Sequence, residues 1–319
     1  MLSMIDGDSM AKNKIFKTLD EQVEILKSKG LVIQDERKAM EILFRENYFF
    51  INGYRHLFMR SMKESRFIEG TTFEELYAMF VFDRRIRNIM FKYILMIENN
   101  VKSIISYQLS KKYGFKEKDY LNPKNFSQDN MKSRQVHDVL NKMKRQIRVN
   151  GKQHTATLHY ISNYGYIPMW ILVKVLSFGI ISELYNILKT EDQLDIAEFY
   201  NVDPDTLAVY LNLLSNFRNL CAHEEILYDH RTQRMIPDTK YHYLLSIDMT
   251  DDEYNYGKND LFALVIIMKQ MLRESEFIQL INELGYEIDE LDGKINVVSL
   301  NLILNKIGFP DNWREIKLL

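Results

Sequence analysis

Two residue types suited to proton transfer and anion binding fall close together late in the chain: Arg218 and His223, with Asn219 directly after the arginine. An imidazole titrates near neutrality and can take or give a proton at ordinary pH. A guanidinium stays charged and offers a planar fork to carboxylate or phosphate oxygens. On a helix, Asn219 and His223 share a face, whereas Arg218 and His223 stand about 140° apart around the axis. Arg218 therefore needs its long stem, or a distorted helix end, to join them. A plain capping role is the other reading, because positive side chains complement the negative C-terminal end of a helix dipole. His230 follows Tyr228 and Asp229 and is a second candidate. Arg148 and His154 form another Arg–His pair. Asn150-Gly151 lies between them, so that pair falls in a break, while Arg218 and His223 end a capped helix.

Other residues invite a chemical reading as well. Lys142, Lys144, Arg145, Arg148 and Lys152 make a local basic cluster, either a solvated helix face or a groove for an anionic polymer. Glu98 falls on the apolar face of its helix with Ile94, Val101 and Ile105, so its carboxylate needs a partner: an arginine of the site, or a structural salt bridge. Cys221 reads as a small packing residue. Trp170 and Phe178 read as core rather than as stacking platforms for bases. The acidic stretch Thr250-Asp251-Asp252-Glu253 reads as a helix cap and solvated loop.

Helices must position these groups. Thr18-Leu19-Asp20-Glu21 and Thr72-Phe73-Glu74-Glu75 are capping boxes, in which hydroxyl and carboxylate satisfy each other's backbone amides. Asp35 caps a helix over 36–46, and Asp203-Pro204 opens one reaching about His223. The second capping box starts the strongest element, about Phe73 to Lys112, roughly 60 Å long at 1.5 Å per residue. Ile86, Met90, Tyr93, Ile97, Val101 and Ile104 keep a 3.6-residue period along it, with Arg84, Arg87, Lys92 and Lys102 placed largely off that stripe. Residues 114–130 read as a polar loop, and 130–148 as a helix. The segment after Pro168 reads as helical on both sides of Gly179. Gly285 and Gly308-Phe309-Pro310 read as breaks in the C-terminal helices.

The 319 residues include only 5 prolines and 12 glycines, with 46% hydrophobic and 27% charged residues. This is a globular composition that favours long helices over an all-β fold. The expectation is an all-α, multi-helix bundle with a long central helix and additional N- and C-terminal helices. The expected layout is a flexible tail over 1–16, a helical domain over 17–285 and a helical extension over 286–319. The single cysteine excludes an intrachain disulfide and a cysteine-based zinc site. No carboxylate cluster suggests a metal, and no cofactor motif stands out. The first residues lack the apolar core of a signal peptide, and no apolar stretch is long enough to span a bilayer. These features point to a cytoplasmic protein without a membrane partner. The net charge of −2 confines any nucleic-acid surface to a local patch.

Two blocks carry a family likeness. The first is Leu19-Asp20-Glu21-Gln22-Val23 through Gly30-Leu31-Val32-Ile33, followed by Asn47-Tyr48-Phe49-Phe50-Ile51-Asn52-Gly53-Tyr54. The second is Ile167-Pro168-Met169-Trp170, Leu176-Ser177-Phe178-Gly179, then Phe217-Arg218-Asn219-Leu220-Cys221-Ala222-His223. The chain resembles the Abi-like family of bacterial anti-phage proteins, of the AbiD/AbiF type. That family is placed in the HEPN group, all-α proteins whose ribonuclease motif is an arginine, four to six residues, and a histidine; it is also considered a relative of the type VI CRISPR effector nucleases.

The resemblance implies RNA as partner, Arg218, Asn219 and His223 as catalytic residues, and a HEPN-like bundle. RNA can be cut by its own 2′-hydroxyl. The protein then has to move two protons and offset charge on phosphorus, which an imidazole and a guanidinium can do without a metal. One motif copy holds one imidazole, so a homodimer with a composite site follows. The basic residues 142–152 would track the RNA backbone. An alternative in the same family is a non-catalytic protein that holds a small structured noncoding RNA. A helical interaction protein with no RNA role is a third.

Overall fold

The structure is a computed structural model and describes residues 15–61, 65–151 and 153–319. Residues 1–14 of the expected tail, and Lys152 of the basic cluster, lie outside the described residues. The fold is all-α, with strand confined among the described residues to two short antiparallel pairs.

The chain divides into two compact units. The first holds the residues up to Phe80 together with Lys294–Val298. It contains α1 (Leu19–Ser28), α2 (Glu36–Glu46), α3 (Tyr48–Asn52), strands β1 (Met59–Ser61) and β2 (Arg66–Phe67), and the start of α4 (Phe73–Tyr113). The caps form as the sequence requires. The Thr18 hydroxyl accepts from the Glu21 amide at 3.3 Å, and Asp35 accepts from Lys38 at 3.0 Å. The Glu75 amide donates to the Thr72 hydroxyl at 3.2 Å, and the Glu75 carboxylate accepts from the Thr72 amide at 3.0 Å. Its other oxygen accepts from the amides of Asn296 and Val297 at 2.6 and 3.0 Å, which ties the late segment into this unit. The aromatic run after Asn47 forms α3, whose Ile51 is buried while Phe49 stays exposed.

The second unit holds residues 81–293 and 299–319. It contains the rest of α4, then α5 (Glu117–Tyr120), α6 (Ser133–Asn150), α7 (Thr155–Tyr164), α8 (Met169–Val175), α9 (Phe178–Ile187), α10 (Thr190–Ala197), α11 (Pro204–Ala222) and α12 (Lys240–Leu244). Strands β3 (Met249–Thr250) and β4 (Glu253–Tyr254) precede α13 (Leu261–Met271), α14 (Glu274–Asp292) and α15 (Leu300–Ile307). Every residue of 261–268 is at most 1% exposed, so this stretch of α13 is apolar all round and belongs to this unit's core. Helix α11 packs on α9, α10 and α13, and α6 packs on α8 and α9. Among the described residues no helix is long and apolar enough to cross a membrane.

Several sequence expectations change. Helix α4 has 41 residues, one more than expected, and two of its charges placed off the apolar stripe are buried: Arg87 at 3% and Lys102 at 9% exposure. The polar stretch 114–130 contains the single turn α5. The break after Pro168 falls at Leu176-Ser177, where the Ser177 hydroxyl caps α9 by accepting from Ile180. Gly179 lies inside α9, where a Cβ would come within 3.4 Å of the Ser215 hydroxyl on α11. Gly285 lies inside α14, where a Cβ would stand 2.7 Å from an Arg314 guanidinium nitrogen. Neither glycine breaks its helix; Gly285 permits the close approach of Arg314, whereas a Cβ at Gly179 would make an ordinary contact. The acidic stretch at 250–253 is a hairpin, with Asp251 and Asp252 both at positive φ, as a two-residue primed turn demands.

Candidate functional site

The C-terminus of α11 and the chain that follows it are fixed by unusual means. His223 is the C-cap, and its amide donates to the Asn219 carbonyl at 3.0 Å. Glu224 takes a left-handed conformation at φ 54, its amide donating to Cys221 and that of Glu225 to Leu220. This is a Schellman ending in which a glutamate occupies the position glycine usually fills. The chain then crosses a buried ion pair on α4. Asp83 and Arg87 lie one turn apart, with side chains 1% and 4% exposed and a 2.8 Å contact between them. The Asp83 carboxylate accepts from the amides of Leu227 and Tyr228 at 3.2 and 2.8 Å. Arg87 donates to the Glu225 carbonyl at 2.8 Å. A charge pair taken out of water costs free energy unless its remaining lone pairs and protons are satisfied, and here backbone groups of 225–228 do that.

Further along the same face of α4 stand Phe91, Glu98 and Lys102. Glu98 is 4% exposed. One of its oxygens accepts from Lys102 Nζ at 2.6 Å; the other faces Arg218 Nε at 3.4 Å, a charge contact without hydrogen-bond geometry. Arg218 also lies over the Phe91 ring at 5.7 Å. Its Nε is buried while 29% of the side chain stays exposed, so the open part lies elsewhere on the side chain. Glu98 thus takes both roles weighed for it: it pairs with Lys102 on its own helix and with the site arginine.

Asn219 and His223 are exposed and share a face of α11 with Asn216. Asn216 meets His230 Nε2 at 2.8 Å, and the His230 ring packs edge-on against Phe217. Burial holds the His230 pKa below its ordinary value, against a smaller pull upward from Glu225 and Asp229. The structure therefore brings Asn219, His223 and His230 to one side of the helix. It does not bring Arg218 to them: that side chain leaves about 140° around the axis, toward Glu98. Cys221 is packing, as expected; burial pushes its thiol up to about 12.

In the basic cluster, Lys142, Lys144, Arg145 and Arg148 are all exposed on α6, opposite the buried Val136, Val139, Leu140 and Met143. Lys142 is held by Glu183 at 2.6 Å. Lys144, Arg145 and Arg148 make no ion pair with any described residue. Of the two rings read as core, Phe178 is buried and Trp170 is not, at 43% exposure. Sequence reasoning missed the Asp83–Arg87 clamp. Its signal was present as an i, i+4 acid–base pair, repeated in Glu98–Lys102.

No curated protein and no solved structure gives a significant match to the chain. A protein-family comparison does. It spans residues 41–229, more than half of the chain, and takes in Asp83, Arg87, Glu98, Arg218, Asn219 and His223. Its last residue is the one after the Leu227-Tyr228 segment that Asp83 fixes, so α11 and its clamp fall inside one matched region. The chain belongs to the family described as Abi-like protein.

Proposed function

We propose that the protein is a phage-defence protein of the AbiD/AbiF type within the HEPN group, and that it cuts RNA at Arg218 and His223 without a metal. Membership of the Abi-like family ties the chain to abortive infection. The observation that carries the chemical reading is His223, an exposed imidazole at a helix end whose following chain is held by a buried ion pair. A reactive group needs such bracing, because a misplacement of about 1 Å can cost roughly 100-fold in rate.

The reaction is a transfer within the RNA. The 2′-oxygen attacks phosphorus, the bond to the 5′-oxygen breaks, and one proton leaves the nucleophile while another reaches the leaving oxygen. His223 serves one of these transfers, Asn219 orients the sugar or phosphate, and Arg218 offsets charge on the phosphate oxygens. Arg218 and His223 diverge within one chain. A second copy across a two-fold axis supplies the second imidazole and completes the site, so the active species is a homodimer. The exposed Lys144, Arg145 and Arg148, with Lys142 and Lys152, supply phosphate contacts.

Incubating purified protein with end-labelled RNA, with and without a chelator, tests this. His223→Ala abolishes cleavage and leaves folding and RNA binding intact. Arg218→Ala abolishes cleavage and weakens binding. A 2′-deoxy substitution at the scissile ribose blocks the reaction, and products carry a 2′,3′-cyclic phosphate and a 5′-hydroxyl. Single variants that stay fully active, or activity that needs a divalent metal, sink the assignment. In dimers mixed from wild type and His223→Ala, near-normal activity sinks the composite site. The engagement of Arg218 by Glu98 favours one second reading, an RNA-binding protein that holds a small structured RNA uncut. Binding without cleavage in the same assay decides for it.

A further inference from the structure

A cleft in the second unit has the make-up of a different kind of site. It lies between the C-terminal third of α4 and the start of α8, with a volume of about 470 Å³. One wall is a single face of α4, with Ser103, Ser106, Tyr107 and Ser110 at helical spacing. The opposite wall is aromatic, Phe115 and Trp170. The volume falls within the range of pockets that hold small planar ligands.

The rings continue beyond the cleft. Trp170 and Phe115 have centroids 6.0 Å apart, Phe115 and Tyr166 5.6 Å, Tyr166 and Tyr164 6.3 Å, and Tyr164 and Tyr160 5.3 Å. The Trp170 indole donates to the Tyr160 hydroxyl at 3.4 Å, so the rings hold one another in place. Such a series normally sits in a core. Here Trp170 is 43% exposed, Tyr164 57% and Tyr107 65%.

Two further observations select the occupant. Lysines accompany the rings: Lys111 lines the cleft, Lys116 lies over the Tyr166 ring at 5.2 Å, and Lys174 is exposed one turn after Trp170. None of the three has a carboxylate partner among the described residues. Ser103 is exposed on the serine wall, and its hydroxyl offers a donor and acceptor that a ligand edge can take up. An apolar helix or a lipid tail would leave that hydroxyl and those lysines unsatisfied. A flat ring with a polar edge and an attached anion satisfies all of them.

We propose that this cleft is a stacking site for unpaired nucleobases of single-stranded RNA, apart from the Arg218–His223 site. Duplex RNA hides its base faces, whereas single strands splay them onto aromatic rings while cations track the phosphates. Glu98 and Lys102 stand on another face of α4, about 120° round from the serine wall, so a strand stacked here is held away from the cutting residues. The inference rests on RNA being the partner but not on cleavage.

The test uses full-length His223→Ala protein, so that RNA survives the titration. The probes are a 12-nucleotide oligo(A) RNA and the same strand paired with oligo(U). The chain has 2 tryptophans, and Trp313 is 2% exposed, so bound oligo(A) quenches chiefly Trp170. Replacing both Trp170 and Tyr164 by alanine weakens single-strand binding about 5- to 150-fold for each base that loses its stack. Trp170→Phe keeps most of the affinity, and duplex binding does not change. Undiminished oligo(A) binding by the double variant overturns the cleft assignment and leaves RNA as the partner. An equal loss for single strand and duplex overturns it as well. Binding of neither probe by the parent protein overturns both this inference and the RNA reading. If the double variant dissociates a dimer while its RNA affinity holds, the rings are an interface between copies and the assignment fails.

Discussion

Arg218 and Arg148 carry the same charge, and each has a histidine shortly downstream, yet the fold treats them in opposite ways. Arg218 leans on Glu98 and Phe91, its Nε is buried, and the chain after His223 is tied to Asp83 and Arg87. Arg148 is exposed on α6 with no ion pair to a described residue, and His154 is the exposed N-cap residue of α7 after a turn through Gly151. Spacing along the chain does not separate the two pairs. What separates them is the buried Glu98 carboxylate beside Arg218, which costs free energy unless it is paired.

The largest expected effect tests that contrast directly. Asp83→Ala leaves Arg87 buried without its counter-charge and frees two backbone amides. It should lower unfolding free energy by about 3–5 kcal/mol, read by urea denaturation. Hydrogen exchange should quicken first at the Leu227 and Tyr228 amides, which donate to Asp83. Arg148→Ala, on an exposed helix face, should stay within about 0.5 kcal/mol. Equal losses from the two substitutions would break the comparison.

Glu98→Gln comes next. It keeps the shape but removes the negative charge between Lys102 and Arg218. Losing charge-assisted contacts of this kind costs about 1–3 kcal/mol. Cleavage should fall further than stability does, because Arg218 loses the group that orients it. Unchanged cleavage beside a clear loss of stability would make Glu98 a structural partner only.

The contrast also shows what a linear sequence discloses. The caps at Thr18, Asp35, Thr72 and Asp203 were legible because each joins a side chain to an amide three residues away. The long apolar period fixed α4 to within one residue of its end. Gly285 reads as a break in the sequence because what it answers to, Arg314, lies on a distant element. The Asp83 clamp was hidden for the same reason: its partners are backbone amides more than 140 residues away. Trp170 reads as core by residue type, which sets an average exposure and not a location. Of the candidate site, the helix end, His223 and the need of Glu98 for a charged partner are legible in the sequence. The divergence of Arg218 from His223 was foreseen as an angle, but where Arg218 would go depended on tertiary structure.

Changing Lys144, Arg145 and Arg148 together to glutamine should leave the unfolding transition within about 0.5 kcal/mol per site, since each is exposed. If these residues meet phosphates, each lost contact to a single strand removes about 0.7 from the slope of log affinity against log salt, so the slope should become shallower by about 2. An unchanged slope would make this face of α6 a solvated surface only.

The smallest expected effect lies at the helix end itself. Glu224 sits at φ 54, a conformation that costs a residue with a Cβ roughly 1–2 kcal/mol and costs glycine almost nothing. Glu224→Gly relieves that strain but adds freedom to the unfolded chain, so the net gain should not exceed about 1 kcal/mol. Gly151, in the Arg148–His154 turn, has no such strain to relieve, at φ −56. If the left-handed glutamate only closes a helix, Glu224→Gly should be a little more stable and cut RNA as fast as the parent. If the strained ending holds the His223 ring in place, the same variant should be more stable and slower, with RNA affinity unchanged. The second outcome is expected, because strain at a helix end persists where the surrounding contacts enforce it, and here a buried ion pair does so one to four residues further on. A variant that gains stability with no loss of rate would reduce the Schellman ending to a fold element, and would leave the bracing of His223 to Asp83 and Arg87.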